Sequence, residues 1–387
     1  MVDAEATVAV VRTKTDYSDV ERAVREAVDL LGGLGSIIKA GQKVLIKPNL
    51  LDTRDGESGM TTDRRVTATL VKMVKEQGAE VLVGDSSGMR FHGDSERVIR
   101  ETGTRSACEA AGAQVVSFDS TPSQRVIILK GRILKECHIA EPALEADVII
   151  TVPKFKSHNL TLFTGALKNQ IGCLPGGQKT SAHRIGSTPE GFAQMLADLY
   201  TIIRPKLAVM DAVIGLGGGW RDPDRLAPGL IIAGEDPVAV DAVAVRIGGY
   251  DPKEIPTLRI AAERGLGTAD LNAIHVVGSR IEEIEPNRFT STLRSHLSSR
   301  LGQLFFSKQN PKVDFTLCDG CTHCQEVCPV DAISMKGDHP IFQLDTCIRC
   351  FCCHELCPQR AITVDWGLLG NWIMNRHRPA MQSVEAP

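Results

Sequence analysis

Eight of the twelve cysteines fall into two copies of one spacing near the C-terminus. Cys318, Cys321, Cys324 and Cys328 precede Pro329; Cys347, Cys350, Cys353 and Cys357 precede Pro358. Both copies read Cys-x2-Cys-x2-Cys-x3-Cys-Pro, the ligand spacing for [4Fe–4S] clusters. A cubane needs thiolates converging on four iron corners. Three cysteines two residues apart wrap a tight loop around three corners, and the fourth thiolate arrives from elsewhere. A zinc ribbon would want two separated Cys-x2-Cys pairs rather than triplets. Disulfides would want an oxidising compartment.

The segment from Phe315 to Val364 resembles a bacterial two-cluster ferredoxin. Asp331-Ala332-Ile333 and Gln359-Arg360-Ala361-Ile362 repeat a short element behind each motif. That resemblance implies crossed ligation. Cys318, Cys321, Cys324 and Cys357 would hold one cluster, and Cys347, Cys350, Cys353 and Cys328 the other. Cys352, beside Cys353, reads either as a spare thiol or as a small apolar neighbour of the cluster.

About 300 residues precede the clusters, enough for one large or two small domains. With 44 Lys and Arg against 47 Asp and Glu, the net charge is −3, which argues against a nucleic-acid partner. Met1-Val2-Asp3-Ala4-Glu5 has no basic leader or apolar h-region, and no run of about 18 apolar residues occurs. A cytoplasmic protein without a transmembrane segment is expected, from an organism or compartment with little oxygen.

Short apolar runs recur at 7–11, 44–46, 81–83, 115–118, 148–152, 207–210, 230–233 and 275–277. Helical patterns separate many of them. Val20, Ala23, Val24, Ala27, Val28 and Leu31 mark one apolar face, and so do Phe192, Met195, Leu196, Leu199, Tyr200 and Ile203. The expected fold class is α/β, a mostly parallel sheet with helices on both faces. A small C-terminal α+β ferredoxin-like iron–sulfur domain is added to it. The boundaries read as a body over 1–280, a polar helical connector over 281–311, a cluster domain over 312–365 and a tail over 366–387. The tail, with Trp366, Trp372 and Arg376-His377-Arg378, is expected to pack back over the body, with a membrane-surface role as the alternative.

The body's informative feature is charge asymmetry. Residues 148–189 contain no acid but carry Lys154, Lys156, His158, Lys168, Lys179, His183 and Arg184. The stretch begins in an apolar strand, and ligands of parallel α/β sheets bind beyond the strands' carboxyl ends. Other expected strand ends run into Lys47-Pro48-Asn49, into Gly84-Asp85-Ser86-Ser87-Gly88, and into Asp211 followed by a glycine-rich loop. An anion site follows. Lys154 and His158 are candidate catalytic groups with Asp211. Lys47, Asn49, Asp85, Ser86, Lys156, Lys168 and Asn169 are candidates for holding a cofactor. Lys154, His158 and Lys168 are expected to converge, with a helix over 160–167 folding Lys168 and Asn169 back over the strand end. The plainer reading is turn and capping chemistry on a solvated basic face.

Nucleotide motifs are absent. Gly172–Thr180 nearly forms a phosphate loop, but Gln178 stands where lysine is required. Flavin or another anionic cofactor is compatible, because flavin sites often lack a short motif. Cys173 reads as a buried thiol, a nucleophile or a further metal ligand.

Lys47-Pro48-Asn49, Gly84–Gly88, Pro153-Lys154 with His158, Gly165–Asn169 with Gly172, Asp211-Ala212 and Asp236–Ala242 together resemble the domain-of-unknown-function 362 family over roughly residues 6–280. Members often carry a C-terminal two-cluster module, and the family has no established activity. Gly217-Gly218-Gly219-Trp220 departs from its Gly-x-Glu-Gly-x-Gly-Pro segment by lacking the glutamate. Three functions compete. One is an oxidoreductase passing electrons to an anionic small molecule, with His158 as proton donor. Another is an electron carrier whose body docks a redox partner protein. The last is a non-redox enzyme or sensor with structural clusters.

Overall fold

Buried apolar residues alternate along the central strands, so each strand feeds two cores. Val44 and Ile46 point to one side, and Leu45 to the other. The computed structural model describes residues 6–88, 94–158, 161–176, 178–186, 188–217, 224–284, 310–328, 330–347, 352–355, 357–359 and 361–365. They belong to two compact units, Met1–Ser291 and Thr292–Pro387.

The first unit opens with β1 (Ala6–Arg12), α1 (Tyr17–Asp29), β2 (Lys43–Pro48), α2 (Arg64–Glu76), β3 (Glu80–Asp85), α3 (Ser95–Glu101), α4 (Thr104–Ala110) and β4 (Gln114–Ser117). A hairpin of β5 (Ser123–Ile127) and β6 (Glu136–Ala140) follows, then α5 (Glu141–Glu145), β7 (Val148–Val152), β8 (Lys154–His158) and β9 (Leu162–Phe163). Next come α6 (Gly165–Asn169), α7 (Gln178–Ile185), α8 (Pro189–Tyr200), β10 (Leu207–Gly217), β11 (Asp224–Leu226), β12 (Leu230–Gly234), α9 (Pro237–Ile247), α10 (Pro256–Glu263) and β13 (Ile274–Gly278).

The sheet runs β13-β1-β12-β10-β7-β2-β3-β4. Every strand on this path points the same way except β12, which is antiparallel to both β1 and β10. The sheet is therefore mostly parallel but mixed. α1, α2 and α4 cover one face over Val44, Ile46, Val83, Ile150 and Val209. α9 and α10 cover Val8, Val10, Met210 and Ile232 on the other, where α8 covers Leu45 and Ile149.

Local sequence explains these helices. Asp16 accepts the Asp19 N–H at 2.8 Å to start α1, whose buried stripe is Val20, Ala23, Val24, Ala27 and Val28. α8 starts where Thr188 accepts the Gly191 N–H at 2.9 Å, with Pro189 in its first turn. α9 is apolar nearly all round and buried except at Arg246, yet it includes the buried Asp241.

One local expectation fails. The helix expected over 160–167 begins at Gly165, because Leu162–Phe163 pairs with β8 as β9. Leu162 adopts a φ of 65°, which breaks any helix there.

In the second unit, β14 (Asn310–Val313) pairs antiparallel with β17 (Ile362–Asp365), and β15 (Ile333–Lys336) with β16 (His339–Phe342). Helical turns occur at His323–Glu326 and Cys352–Glu355. Cys324, Cys353 and Cys357 are buried with Ile333, Ala361 and Ile362. Most of the expected connector and all of the expected tail lie outside the described residues.

Candidate functional site

The carboxyl edge of the parallel strands carries a chain of buried charges. Lys47, at the end of β2, is fully buried. Its Nζ donates to Asp85 Oδ1 at 2.7 Å, to the Pro48 carbonyl at 3.1 Å and to Asn169 Oδ1 at 3.2 Å. Asp85 Oδ2 accepts the Leu50 N–H at 2.8 Å, and its Oδ1 also accepts the Ser86 N–H at 2.9 Å. Asn169, closing α6, donates to the Lys47 carbonyl at 3.1 Å and to Thr151 Oγ1 at 2.9 Å. Gly172 covers the pair so closely that a Cβ there would meet Asp85 Oδ1 at 2.1 Å and Lys47 Nζ at 2.5 Å.

A second pair joins β8 to β10. Lys154 and Asp211 are register partners, both fully buried, and Lys154 Nζ donates to Asp211 Oδ2 at 2.8 Å and to the Gly56 carbonyl at 2.9 Å. Asp211 also accepts the N–H groups of Asp63 at 2.7 Å and Val213 at 3.1 Å. Beside it, Lys156 Nζ donates to Asn49 Oδ1 at 2.7 Å and to the Met60 carbonyl at 3.0 Å. The segment after β2 is pinned over the strand ends by Thr62, which accepts the Asn49 N–H at 2.9 Å and donates to the Val152 carbonyl at 2.8 Å. Burying a charge is costly unless it is paired and hydrogen-bonded, and both ion pairs meet that condition.

The structure thus gathers Lys47, Asp85, Asn169 and Ser86 into one cluster, Lys154 with Asp211 into another, and Lys156 with Asn49 into a third contact. Of the three residues expected to converge, Lys154, His158 and Lys168, Lys154 lies in the second of these clusters. Lys154 points inward, onto Asp211. His158 is half-buried, with Nδ1 accepting the Thr161 N–H at 3.2 Å, and Lys168 is half-buried on α6.

Two further features were not among the candidate site residues, although Lys179 was counted in the acid-free stretch. Lys179 is buried on α7, where its Nζ donates to the Ser86 and Ser87 carbonyls and to Ser86 Oγ, the last at 2.8 Å. Burial pulls its pKa down to about 8. Ser86 Oγ donates in turn to Asp119 Oδ1 at 2.6 Å, and Ser95 Oγ donates to Asp119 Oδ2. Burial opposes ionisation of Asp119, but the hydrogen bonds from Ser86 and Ser95 outweigh it and hold its pKa low. The other feature is Asp241. Burial pushes its pKa up to about 7, while the N–H groups of Leu167 and Ala166 pull it back. A lone carboxylate inside the otherwise apolar α9 was the available signal for it.

The chain belongs to the DUF362 family. The model of that family, described as a domain of unknown function, matches residues 44–246. The match takes in every charged group named above, from Lys47 to Asp241. A second family model, a 4Fe-4S dicluster domain, matches residues 310–358 of this DUF362 protein. A thylakoid-associated protein of Synechocystis sp. is 32% identical over 251 residues, which is 63% of this chain and 74% of that relative. Among solved structures, the lactate racemase apoprotein of Thermoanaerobacterium thermosaccharolyticum superposes with a TM-score of 0.43 at 11% identity. That overlap takes in 63% of this chain, which spans only 57% of the racemase chain.

The dicluster domain has the donors its clusters need. Cys318, Cys321, Cys324 and Cys357 line one cavity, walled by Met335, Pro340, Ala361 and Ile362. The backbone repeats across the duplication: Ala332 N–H donates to Cys328 Sγ and Ala361 N–H to Cys357 Sγ, each at 3.2 Å. Cys347 is half-buried and Cys353 buried; Cys350 lies outside the described residues. Among the described residues, no three His, Cys, Asp or Glu side chains gather as a single metal ion requires. A cubane makes a different demand, since its four thiolates bind separate iron corners. The four-cysteine cavity suits that geometry. No helix of the described residues is long and apolar enough to cross a membrane.

Proposed function

We propose that this iron–sulfur protein is an oxidoreductase, in which electrons pass through two [4Fe–4S] clusters to an anionic substrate or cofactor at the carboxyl edge of the body's sheet. The observation that carries the reading is the concentration of buried lysines there. Lys47, Lys154, Lys156 and Lys179 all lie under that edge, among Asp85, Asp211 and Asn169. Folding alone gains little from buried ion pairs over apolar residues of similar volume, whereas functional sites repeatedly contain them.

In this reading Lys47–Asp85 and Lys154–Asp211 form a rigid charged floor. Lys156 and Lys168 neutralise the ligand's carboxylate or phosphate, Asn49 and Ser86 orient it, and His158 supplies a proton. A flavin or another anionic cofactor fits the same reading. Each cluster, when bound, supplies single-electron chemistry. The body ends near residue 280, a connector spans 281–311, the clusters occupy 312–365, and the protein works in the cytoplasm under low oxygen.

One observation favours a second reading, an electron carrier whose body docks a redox partner protein. The ammonium groups of Lys47 and Lys154 are already satisfied by protein acceptors. Mass spectrometry of small molecules retained after anaerobic purification separates the two. The oxidoreductase reading expects one anionic species near stoichiometry, lost in Lys168→Glu with iron content unchanged. No retained molecule, together with a stable co-purifying protein, would favour the carrier.

A further inference from the structure

The β5–β6 hairpin stands outside the main sheet, and its two strands pair only with each other. Its outer surface is the body's clearest exposed apolar feature. Leu129, at the tip, is 93% exposed and Ile127, on β5, is 59% exposed, the two highest values for large apolar residues in the body's described residues. Basic side chains surround them. Lys130 and Arg132 follow Leu129 in sequence and are exposed. Arg125 is exposed and paired with Glu136, while Lys135 bends back so that its Nζ donates to the Gly131 carbonyl at 2.7 Å. The segment 123–136 carries these four basic residues against one acid, in a chain whose net charge is −3.

The tip is held rigidly. Ile128 and Leu134 are buried in the core beneath it. Asp198 of α8, fully buried, accepts the backbone N–H groups of Arg132 at 2.9 Å, Ile133 at 2.7 Å and Leu134 at 2.9 Å. Arg264 donates to the same carboxylate at 2.7 Å. A fully exposed leucine on so firmly anchored a turn is not a fraying loop.

We infer that this hairpin is a membrane-surface anchor, which inserts Leu129 and Ile127 among lipid chains while Lys130 and Arg132 meet anionic headgroups. The hairpin's small apolar area and its basic rim favour lipid over protein. A stable protein interface buries on the order of 1,200 Å² or more, and two apolar side chains on a convex turn offer a small part of that. A lipid surface closes around a convex wedge and adds electrostatic attraction for each flanking lysine or arginine. The contact is peripheral.

The test is sedimentation of the full chain with vesicles of phosphatidylcholine alone and of phosphatidylcholine with phosphatidylglycerol. The protein should pellet with the anionic vesicles only, and release as salt screens the headgroups. Leu129→Ser and the double change Lys130→Glu/Arg132→Glu should each weaken binding by about tenfold or more. Leu129→Trp should shift its fluorescence to the blue with anionic vesicles and stay unshifted with neutral ones. Iron content and melting temperature serve as folding controls. Equal binding to both vesicle types, or binding to neither, would overturn the proposal. So would binding that survives the substitutions, since another part of the chain would then carry it. Variants that lose a dimer instead of vesicle binding would make the hairpin a self-interface.

Discussion

Asp241 accepts the backbone N–H of Ala166 at 2.6 Å, so a carboxylate inside α9 holds the first turn of α6. Its other oxygen accepts the Leu167 N–H at 3.0 Å, and a Cβ on Gly165 would meet the carboxylate at 2.4 Å. Asn169, at the far end of the same short helix, bonds to Lys47. Asp241 therefore sets where Asn169 meets the charged floor.

This geometry predicts a pH dependence. Burial raises the Asp241 pKa from 3.8 to about 7. Between those values the native state keeps the proton that the unfolded chain has lost. Stability contributed by this group is thus fully present below about pH 4, falls as pH rises, and is lost above about pH 7. The fall is roughly 4 kcal/mol across the window. Asp241→Asn should remove that slope. Urea unfolding under anaerobic conditions across this range checks it, and an identical slope in both proteins would count against the raised pKa.

Breaking the Lys154–Asp211 pair on one side should be worse than replacing both partners. Lys154→Met leaves Asp211 buried without its cation and should cost about 3–5 kcal/mol. Lys154→Met with Asp211→Leu should cost less than the two single changes added together. A double-mutant cycle from denaturant unfolding measures the difference. Strict additivity would mean that the two groups do not interact.

Gly172 offers a sharper probe of the other pair. Any Cβ there overlaps Asp85 and Lys47, and these side chains end in backbone contacts that leave them little freedom to yield. Gly172→Ala should destabilise the body by about 1–3 kcal/mol through overpacking. It should also reduce ligand retention while leaving eight irons per chain. Unchanged stability would show that the helical turn carrying Gly172 can lift away.

The cysteine cavity predicts which cluster fails. Cys357 shares its cavity with Cys318, Cys321 and Cys324, far from it in sequence. Cys357→Ala should therefore damage the cluster of the first triplet, and Cys328→Ala that of the second. Electron paramagnetic resonance of the reduced variants distinguishes the clusters. Loss confined to each mutated motif's own triplet would contradict crossed ligation.

Much of this was legible in the sequence, for reasons that particular residues show. The cysteine spacing is rigid, so it announces its chemistry. The stripes of α1 and α8 were visible because burial repeats with the helical period. The reversal of β12 was not, because Leu230–Gly234 is apolar on both faces and such a run carries no direction. The lysines of the acid-free stretch were noticed, but their partners were not. Lys154 finds Asp211 and Lys179 finds Ser86 only through the sheet's topology, across 57 and 93 residues. Charge counted along the chain suggested lysines free to meet an anion, or a solvated basic face, whereas the fold turns Lys154 inward onto Asp211.

An oxidoreductase of the proposed kind must pass electrons from its clusters to a ligand in the body. Anaerobically purified protein, reduced with limiting dithionite, should therefore be assayed for both destinations. Resonance counts electrons left on the clusters, and mass spectrometry after acid release identifies the retained molecule and its oxidation state. The expected result is a retained anionic molecule recovered in reduced form, with the missing cluster electrons accounted for in it, and none reduced in Cys357→Ala. Full recovery of all electrons on the clusters, with the retained molecule unchanged or absent, would contradict it.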